Sequence, residues 1–162
     1  MMNVFPGMGR KVLLPCLVLL ANAALAQPFA HAVHAATIDD PSLSAPVGMI
    51  WVQSTGFGKK EAEAQLDAEK AAMETVVFQG VPGTQFSMPL VADESGSRKE
   101  HVDFYAGFFE QQGFRAFVSK TQKVSGLTKI KGGKKLETRL LVDMNGLRKH
   151  LEDNHVIKKF GM

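Results

Sequence analysis

The fold is decided by the stretch IKGGKKLETRLLVDM, residues 130–144. After its glycine pair, every second side chain is uncharged, at Leu136, Thr138, Leu140, Val142 and Met144. A period of two is typical of a strand that buries one face, and a glycine pair between extended segments favours a tight turn. We therefore predict a β-hairpin that turns at Gly132-Gly133. Its first strand is residues 114–123, continuing toward Ile130.

A strand and a long helix precede the hairpin. Residues 49–55 (MIWVQST) are rich in β-branched and aromatic side chains and predict a strand that Gly56-Phe57-Gly58 ends. Residues 60–79 carry apolar side chains at helical spacing beside a flank of alanines, which would let the helix lie close against a sheet. Gly80, with Pro82 just beyond it, ends this helix.

Two further helices are indicated by their capping residues. An irregular loop over residues 81–96 leads to Ser97, which forms a capping-box pattern with Glu100 and begins a helix that runs to Gln112. Asn145 caps a short last helix, which an extended tail follows. The predicted order is β-α-α-β-β-α. We expect an α+β fold with a small three-stranded sheet and helices packed on one face.

The N-terminal segment, residues 1–26, has the pattern of a cleavable secretory signal. Arg10 and Lys11 precede an apolar run over residues 12–20, and the small residues 24–26 (ALA) offer a peptidase site. A helix built from this run and those small residues would be about 22 Å long, too short for a hydrocarbon core of about 30 Å. We therefore expect export to the periplasm or the extracellular space, with no transmembrane segment in the mature chain.

The mature chain is expected to be nearly neutral and without a thiol. Cys16, the single cysteine, lies inside the apolar run, so we interpret it as part of the leader and not as a lipid-anchor site. Without Arg10 and Lys11, 17 basic residues face 16 acidic ones, a net charge of +1. No overall field would attract nucleic acid. Residues 27–46 show no sustained period and predict a flexible arm before a single domain over residues 47–162.

Several segments carry a resemblance to known exported proteins. They are Gly80-Val81-Pro82-Gly83, Pro89-Leu90-Val91, Phe104-Tyr105 with Phe108-Phe109, and Leu147-Arg148-Lys149 with Leu151-Glu152. On these segments, residues 51–161 resemble uncharacterised secreted proteins of Bacteroidetes. The order from Trp51-Val52 through Gly56-Phe57-Gly58 to an alanine-rich helix is more distantly similar to the small exported domain of Gram-negative envelope lipoproteins and flagellar assembly proteins. The resemblance implies an exported domain and brings no catalytic residue.

The residues themselves predict no catalytic group and no cofactor. Gly56-Phe57-Gly58 begins like a dinucleotide fingerprint, but Glu61 stands at the position of its third glycine. Ser97 lacks the flanking glycines of a nucleophile elbow. Carboxylates support glycoside chemistry only when the fold pairs them at a set distance. We interpret the three acids near the second helix as a polar loop: Asp93, Glu94 and Glu100.

Histidines suggest a metal site that we do not expect to form. His31 and His34 stand three residues apart with Asp39 and Asp40 close behind, and these residue types bind zinc or copper. Because all four lie in the predicted arm, a preformed site is not expected, and no metal is predicted. The other histidines are expected on solvated helix surfaces: His101, His150 and His155.

Two groups of side chains remain as candidate contacts. An aromatic set is expected mostly in the core, with one or two rings lining a groove or an interface: Phe104, Tyr105, Phe108 and Phe109. Four lysines surround the predicted turn, with Glu137 the only acid nearby: Lys129, Lys131, Lys134 and Lys135. Their local positive field would hold an anionic envelope surface or an acidic envelope protein. Alternatively, they keep the tip soluble and protect a sheet edge.

Two classes of function stay open. Export, small size and the lack of a catalytic motif favour a non-enzymatic envelope module that binds another macromolecule. The alternative is a small secreted hydrolase whose acidic and histidine side chains meet only in the fold.

Overall fold

A computed structural model describes residues 31–35 and 44–159 of the chain. The elements in chain order are β1 (Val33–Ala35), β2 (Met49–Gly58), α1 (Glu61–Phe78), α2 (Glu94–Glu100), α3 (Val102–Tyr105), β3 (Val118–Lys123), β4 (Thr128–Ile130), β5 (Gly133–Asp143) and α4 (Met144–Asp153). A π-helical turn over Ala106–Glu110 continues α3, and a 3-10 helix over Gly113–Phe117 leads into β3. The predicted signal segment, residues 1–26, lies outside the described residues. Within them, no helix is both long and apolar enough to span a bilayer.

β5 is the central strand of one antiparallel sheet. β2 pairs along one side of it, from Met49 opposite Asp143 to Gly58 opposite Lys134. β3 and then β4 pair along the other side, and β1 pairs with β2. The α+β class is confirmed, but the described residues form five strands where three are predicted.

The two additional strands have separate origins. β1 lies within residues 27–46, which are predicted as a flexible arm, and its three residues are too few to show a hydrophobic period. Its order comes from pairing with β2, a long-range contact. The strand predicted over residues 114–130 is divided, because its first residues form the 3-10 helix and a break around Gly126 separates β3 from β4.

One face of the sheet packs against α1. β5 turns its alternate side chains toward the core, as the period predicts, and all are fully buried: Leu136, Thr138, Leu140 and Val142. A Cβ atom at Gly56 would overlap the backbone of Ala64 and Ala68, so glycine lets the helix approach the sheet closely. The sequence predicts that the strand ends where Gly56 begins the Gly-Phe-Gly segment, and the structure differs. Gly56 lies inside β2, which continues to Gly58.

The helix predicted over residues 60–79 is confirmed as α1, but α2 begins earlier than predicted. Asp93, not Ser97, caps α2 by accepting a 2.9 Å hydrogen bond from the backbone N–H of Gly96. The Ser97 hydroxyl instead shares a 2.8 Å hydrogen bond with the Tyr105 hydroxyl. The single helix predicted from Ser97 onward is broken at His101, between α2 and α3.

The last helix also has a different cap from the predicted one. Asp143 accepts a 2.9 Å hydrogen bond from the backbone N–H of Gly146, and Asn145 lies inside α4. Asp143 ends β5 in extended geometry, so its carboxylate lies ahead of the free N–H groups of the first helical turn. Residues 156–159 after the helix form no strand.

Aromatic rings fill the core between α1 and the short helices. Tyr105, Phe108 and Phe109 are buried as predicted, while Phe104 is only partly buried. Burial raises the pKa of the Tyr105 hydroxyl, and its hydrogen bond with Ser97 opposes that rise. The guanidinium of Arg98 lies 4.5 Å from the centre of the Phe78 ring, so it covers one side of this cluster.

Candidate functional site

The four predicted lysines lie together on the hairpin of β4 and β5. Ile130 pairs with Gly133, so Lys131 and Gly132 form the turn, one residue earlier than predicted. Gly132 has φ +92°, a left-handed conformation that glycine adopts without strain. Lys129 and Lys134 lie directly opposite each other on the two strands. Like charges in that position destabilise a sheet.

The sheet register brings three further lysines to the same end of the molecule. Gly58 pairs with Lys134, so Lys59 and Lys60, which follow β2 directly, lie beside the hairpin. Lys123 ends β3 on the other side of β5. We call these seven side chains the basic end: Lys59, Lys60, Lys123, Lys129, Lys131, Lys134 and Lys135. Sequence reasoning missed the additional three because only strand register relates them to the turn.

Two of the seven lysines of the basic end form ion pairs. Lys135 pairs with Glu137 at 2.7 Å, and Lys123 pairs with Glu61. In the described part of the chain, the other five lysines form no ion pair. The nearby carboxylate of Glu63 accepts a 2.9 Å hydrogen bond from the backbone N–H of Lys59 and caps α1. A surface with this charge attracts anions.

A second candidate site contains one histidine and one carboxylate from distant parts of the chain. His31 Nε2 lies 2.7 Å from Asp67 Oδ2, and the backbone N–H of Phe57 donates to the same oxygen at 2.8 Å. The His31 ring also meets the Phe57 ring edge-on, with centroids 5.4 Å apart. The pair borders an open cavity of about 520 Å³ that lies between Lys59 and the hairpin turn.

The histidines and aspartates near the start of the mature chain have separate surroundings where the structure describes them. His31 contacts Asp67, whereas His34 lies on β1 opposite Gln53. Asp39 and Asp40 lie outside the described residues. In the region that the structure covers, no three side chains of the metal-ligating types come together.

The remaining candidate acids and histidines are placed as follows. Asp93 caps α2, and Glu94 accepts a 2.8 Å hydrogen bond from Arg98, so these two acids have structural partners. His155 is exposed, as expected. His150 is expected on a solvated surface, but its ring packs against the Phe117 ring, with the two ring centroids 5.1 Å apart. His101 is partly buried, with Nε2 3.9 Å from a Glu100 oxygen.

One buried carboxylate was not anticipated from the sequence. Glu69 on α1 is 2% exposed. Its Oε1 accepts hydrogen bonds from Gln65 at 2.9 Å and from the Thr121 hydroxyl at 3.3 Å. Arg115 Nε lies 2.8 Å from its Oε2. Glu69 thus joins α1 to β3 and to the 3-10 helix, which is a structural role.

Comparison of the chain with protein-family models, with curated proteins and with solved structures finds no match. The resemblance to secreted proteins of Bacteroidetes therefore stays a prediction.

Proposed function

We propose that this protein is a non-enzymatic exported module of the cell envelope, periplasmic or at the surface, that binds an anionic macromolecule or an anionic envelope surface through its basic end. Export is supported by the leader pattern of residues 1–26. The observation that carries the binding proposal is the gathering of seven lysines from three parts of the chain, five of which form no ion pair among the described residues.

The charge arrangement supports a contact surface because it is costly to the isolated protein. Lys129 and Lys134 face each other across two strands, and such like-charge pairs weaken a hairpin. An edge lysine alone would be sufficient to prevent pairing with other chains. The basic end has more lysines than an edge needs. Lys134 and Lys135 lie on the central strand β5, and two further lysines follow β2.

Retention of isolated envelope fragments, with their lipids and proteins in place, on the immobilised protein tests the proposal. The variant with Lys129, Lys131, Lys134 and Lys135 changed to Gln removes four charges at the basic end. The matched control changes four exposed cations elsewhere to Gln: Lys99, Arg148, Lys158 and Lys159. Each lost surface contact weakens binding by roughly 0.5 kcal/mol, so we expect about thirtyfold weaker retention in the first variant only. Equal retention by both variants would contradict the proposal.

A second function, a small secreted hydrolase, is favoured by the His31–Asp67 pair. A carboxylate that holds an imidazole beside a cavity is the arrangement that general-base catalysis uses. In such an enzyme Asp67 would fix the orientation of His31, and the ring would take a proton from water or from a substrate hydroxyl.

Hydrolysis of model esters, amides and phosphate esters distinguishes this second function. The matched pair of variants is His31→Gln and His34→Gln, because His34 lies three residues away and does not contact Asp67. An enzyme would lose activity in His31→Gln and keep it in His34→Gln. Activity that is absent, or equal in both variants, would contradict the hydrolase.

A further inference from the structure

We propose that the partner of the basic end is an anionic lipid surface, which the sheet edge formed by residues 123–131 (KVSGLTKIK) contacts. This edge segment comprises the end of β3, all of β4 and the connection between them. The inference rests on the proposed function and specifies its partner.

The edge segment carries aliphatic side chains as well as cations. Val124 is 39% exposed, and Leu127 and Ile130 are partly exposed. The cations Lys123 and Lys129 are exposed on the same segment. Among residues 31–35 and 44–159, β4 pairs with β5 alone, so its other side is an open edge in this part of the chain. Aliphatic groups between lysines suit the boundary of a bilayer, because lysine stems lie along apolar surface while their ammonium groups reach lipid phosphates.

The kind of cation favours lipid over an acidic protein. The unpaired cations of the basic end are lysines, whereas Arg139 on β5 donates a 3.2 Å hydrogen bond to the Gln53 side chain. Protein–protein interfaces are enriched in Arg and depleted in Lys, because the planar guanidinium binds carboxylates through two hydrogen bonds. Clusters of four to eight cations that attract anionic lipid act as point charges and need no fixed geometry. The basic end has five lysines without ion pairs among the described residues, which is within that number of cations.

Vesicle sedimentation tests the inference, using protein purified from the host envelope whose N-terminus is identified by intact mass. Vesicles contain phosphatidylcholine alone or mixed with phosphatidylglycerol. The test variant changes Lys129, Lys131 and Lys134 to Gln, and the control changes three exposed cations elsewhere to Gln: Arg148, Lys158 and Lys159. Every variant carries the same N-terminus, so differences between variants report the lysines alone.

We expect binding to the mixed vesicles and none above background to phosphatidylcholine. About 1 kcal/mol for each lysine near an anionic surface predicts that the test variant binds on the order of a hundredfold more weakly. The control should bind as the unchanged protein does. Val124→Ser, which keeps every charge, should also weaken binding, because it removes aliphatic contact with the bilayer.

Different failures separate this inference from the proposed function. Equal binding to both kinds of vesicle, or equal binding by the test and control variants, overturns the lipid inference. Lysine-dependent capture of an envelope protein, or binding to polyglutamate without binding to mixed vesicles, overturns the lipid inference and leaves the proposed function standing. If the unchanged protein binds neither the mixed vesicles nor the envelope, the lipid inference and the proposed function are both overturned.

Discussion

Replacing Arg115 by Met tests whether the Glu69 ion pair stabilises the fold. The guanidinium is the cation nearest to this carboxylate, at 2.8 Å, and the substitution keeps an apolar stem of similar length. Gln65 and Thr121 would remain as hydrogen-bond donors to Oε1. Glu69 is 2% exposed with Arg115 in place, so its carboxylate is shielded from water in the unchanged protein.

The expected cost follows from the burial of the two partners. Breaking a buried ion pair costs about 3–5 kcal/mol, because one charge is left buried without its partner. The Arg115 side chain is 49% exposed, and two donors to Glu69 remain, so we expect a value near the lower end, about 3 kcal/mol. Stability for a domain is about 5–15 kcal/mol, and the melting temperature should fall by roughly 10 °C.

Urea unfolding, followed by circular dichroism, measures this cost in a double-mutant cycle. Glu69→Leu combined with Arg115→Met removes both charges and should recover most of the loss, because apolar replacements of a buried pair are often neutral. The matched control is Arg148→Met, an exposed cation with no ion pair among the described residues. The reasoning is refuted if Arg115→Met costs less than about 1 kcal/mol, or if the double variant is the less stable of the two.

Three further predictions concern the core and the leader. Thr138→Val should stabilise the domain by about 1 kcal/mol in urea unfolding, because the Thr138 hydroxyl is buried without a hydrogen-bond partner among the described residues; Thr121→Val, which removes a donor to Glu69, should destabilise it. Leu140→Asp should abolish cooperative melting, because the side chain is fully buried on β5 and an unpaired charge there costs several kcal/mol; an unchanged melting curve would mean that the register is wrong. Intact-mass analysis of the envelope protein should give a chain that begins at or near Gln27, and a lipidated chain that retains Cys16 would overturn the leader interpretation.

The sequence indicates the elements whose signal is local. Alternation along residues 136–144 predicts β5 and its buried face, because the period of two depends only on neighbouring residues. The alanine flank of residues 60–79 predicts a helix that lies close to the sheet. Its contact with Gly56 depends on how the two elements cross, so the sequence indicates the close approach but not its place.

The features that sequence reasoning missed depend on long-range geometry. Lys59 reaches the basic end only because β2 pairs with β5 in one register. His31 and Asp67 lie 36 residues apart and meet through the pairing of β1 with β2. The start of α2 is missed for a different reason: the capping-box pattern of Ser97 and Glu100 predicts it at Ser97, whereas the Asp93 carboxylate accepts the backbone N–H of Gly96 and begins the helix earlier.

The most direct test of the central claim is the salt dependence of binding to isolated envelope fragments. The protein is compared with the variant in which Lys129, Lys131, Lys134 and Lys135 are changed to Gln. We predict that the unchanged protein binds at about 0.1 M salt and is released toward 1 M, as the screening length falls from about 10 Å to about 3 Å. The variant should bind weakly throughout. Equal binding by both proteins, unaffected by salt, would contradict the claim that the basic end is the contact surface.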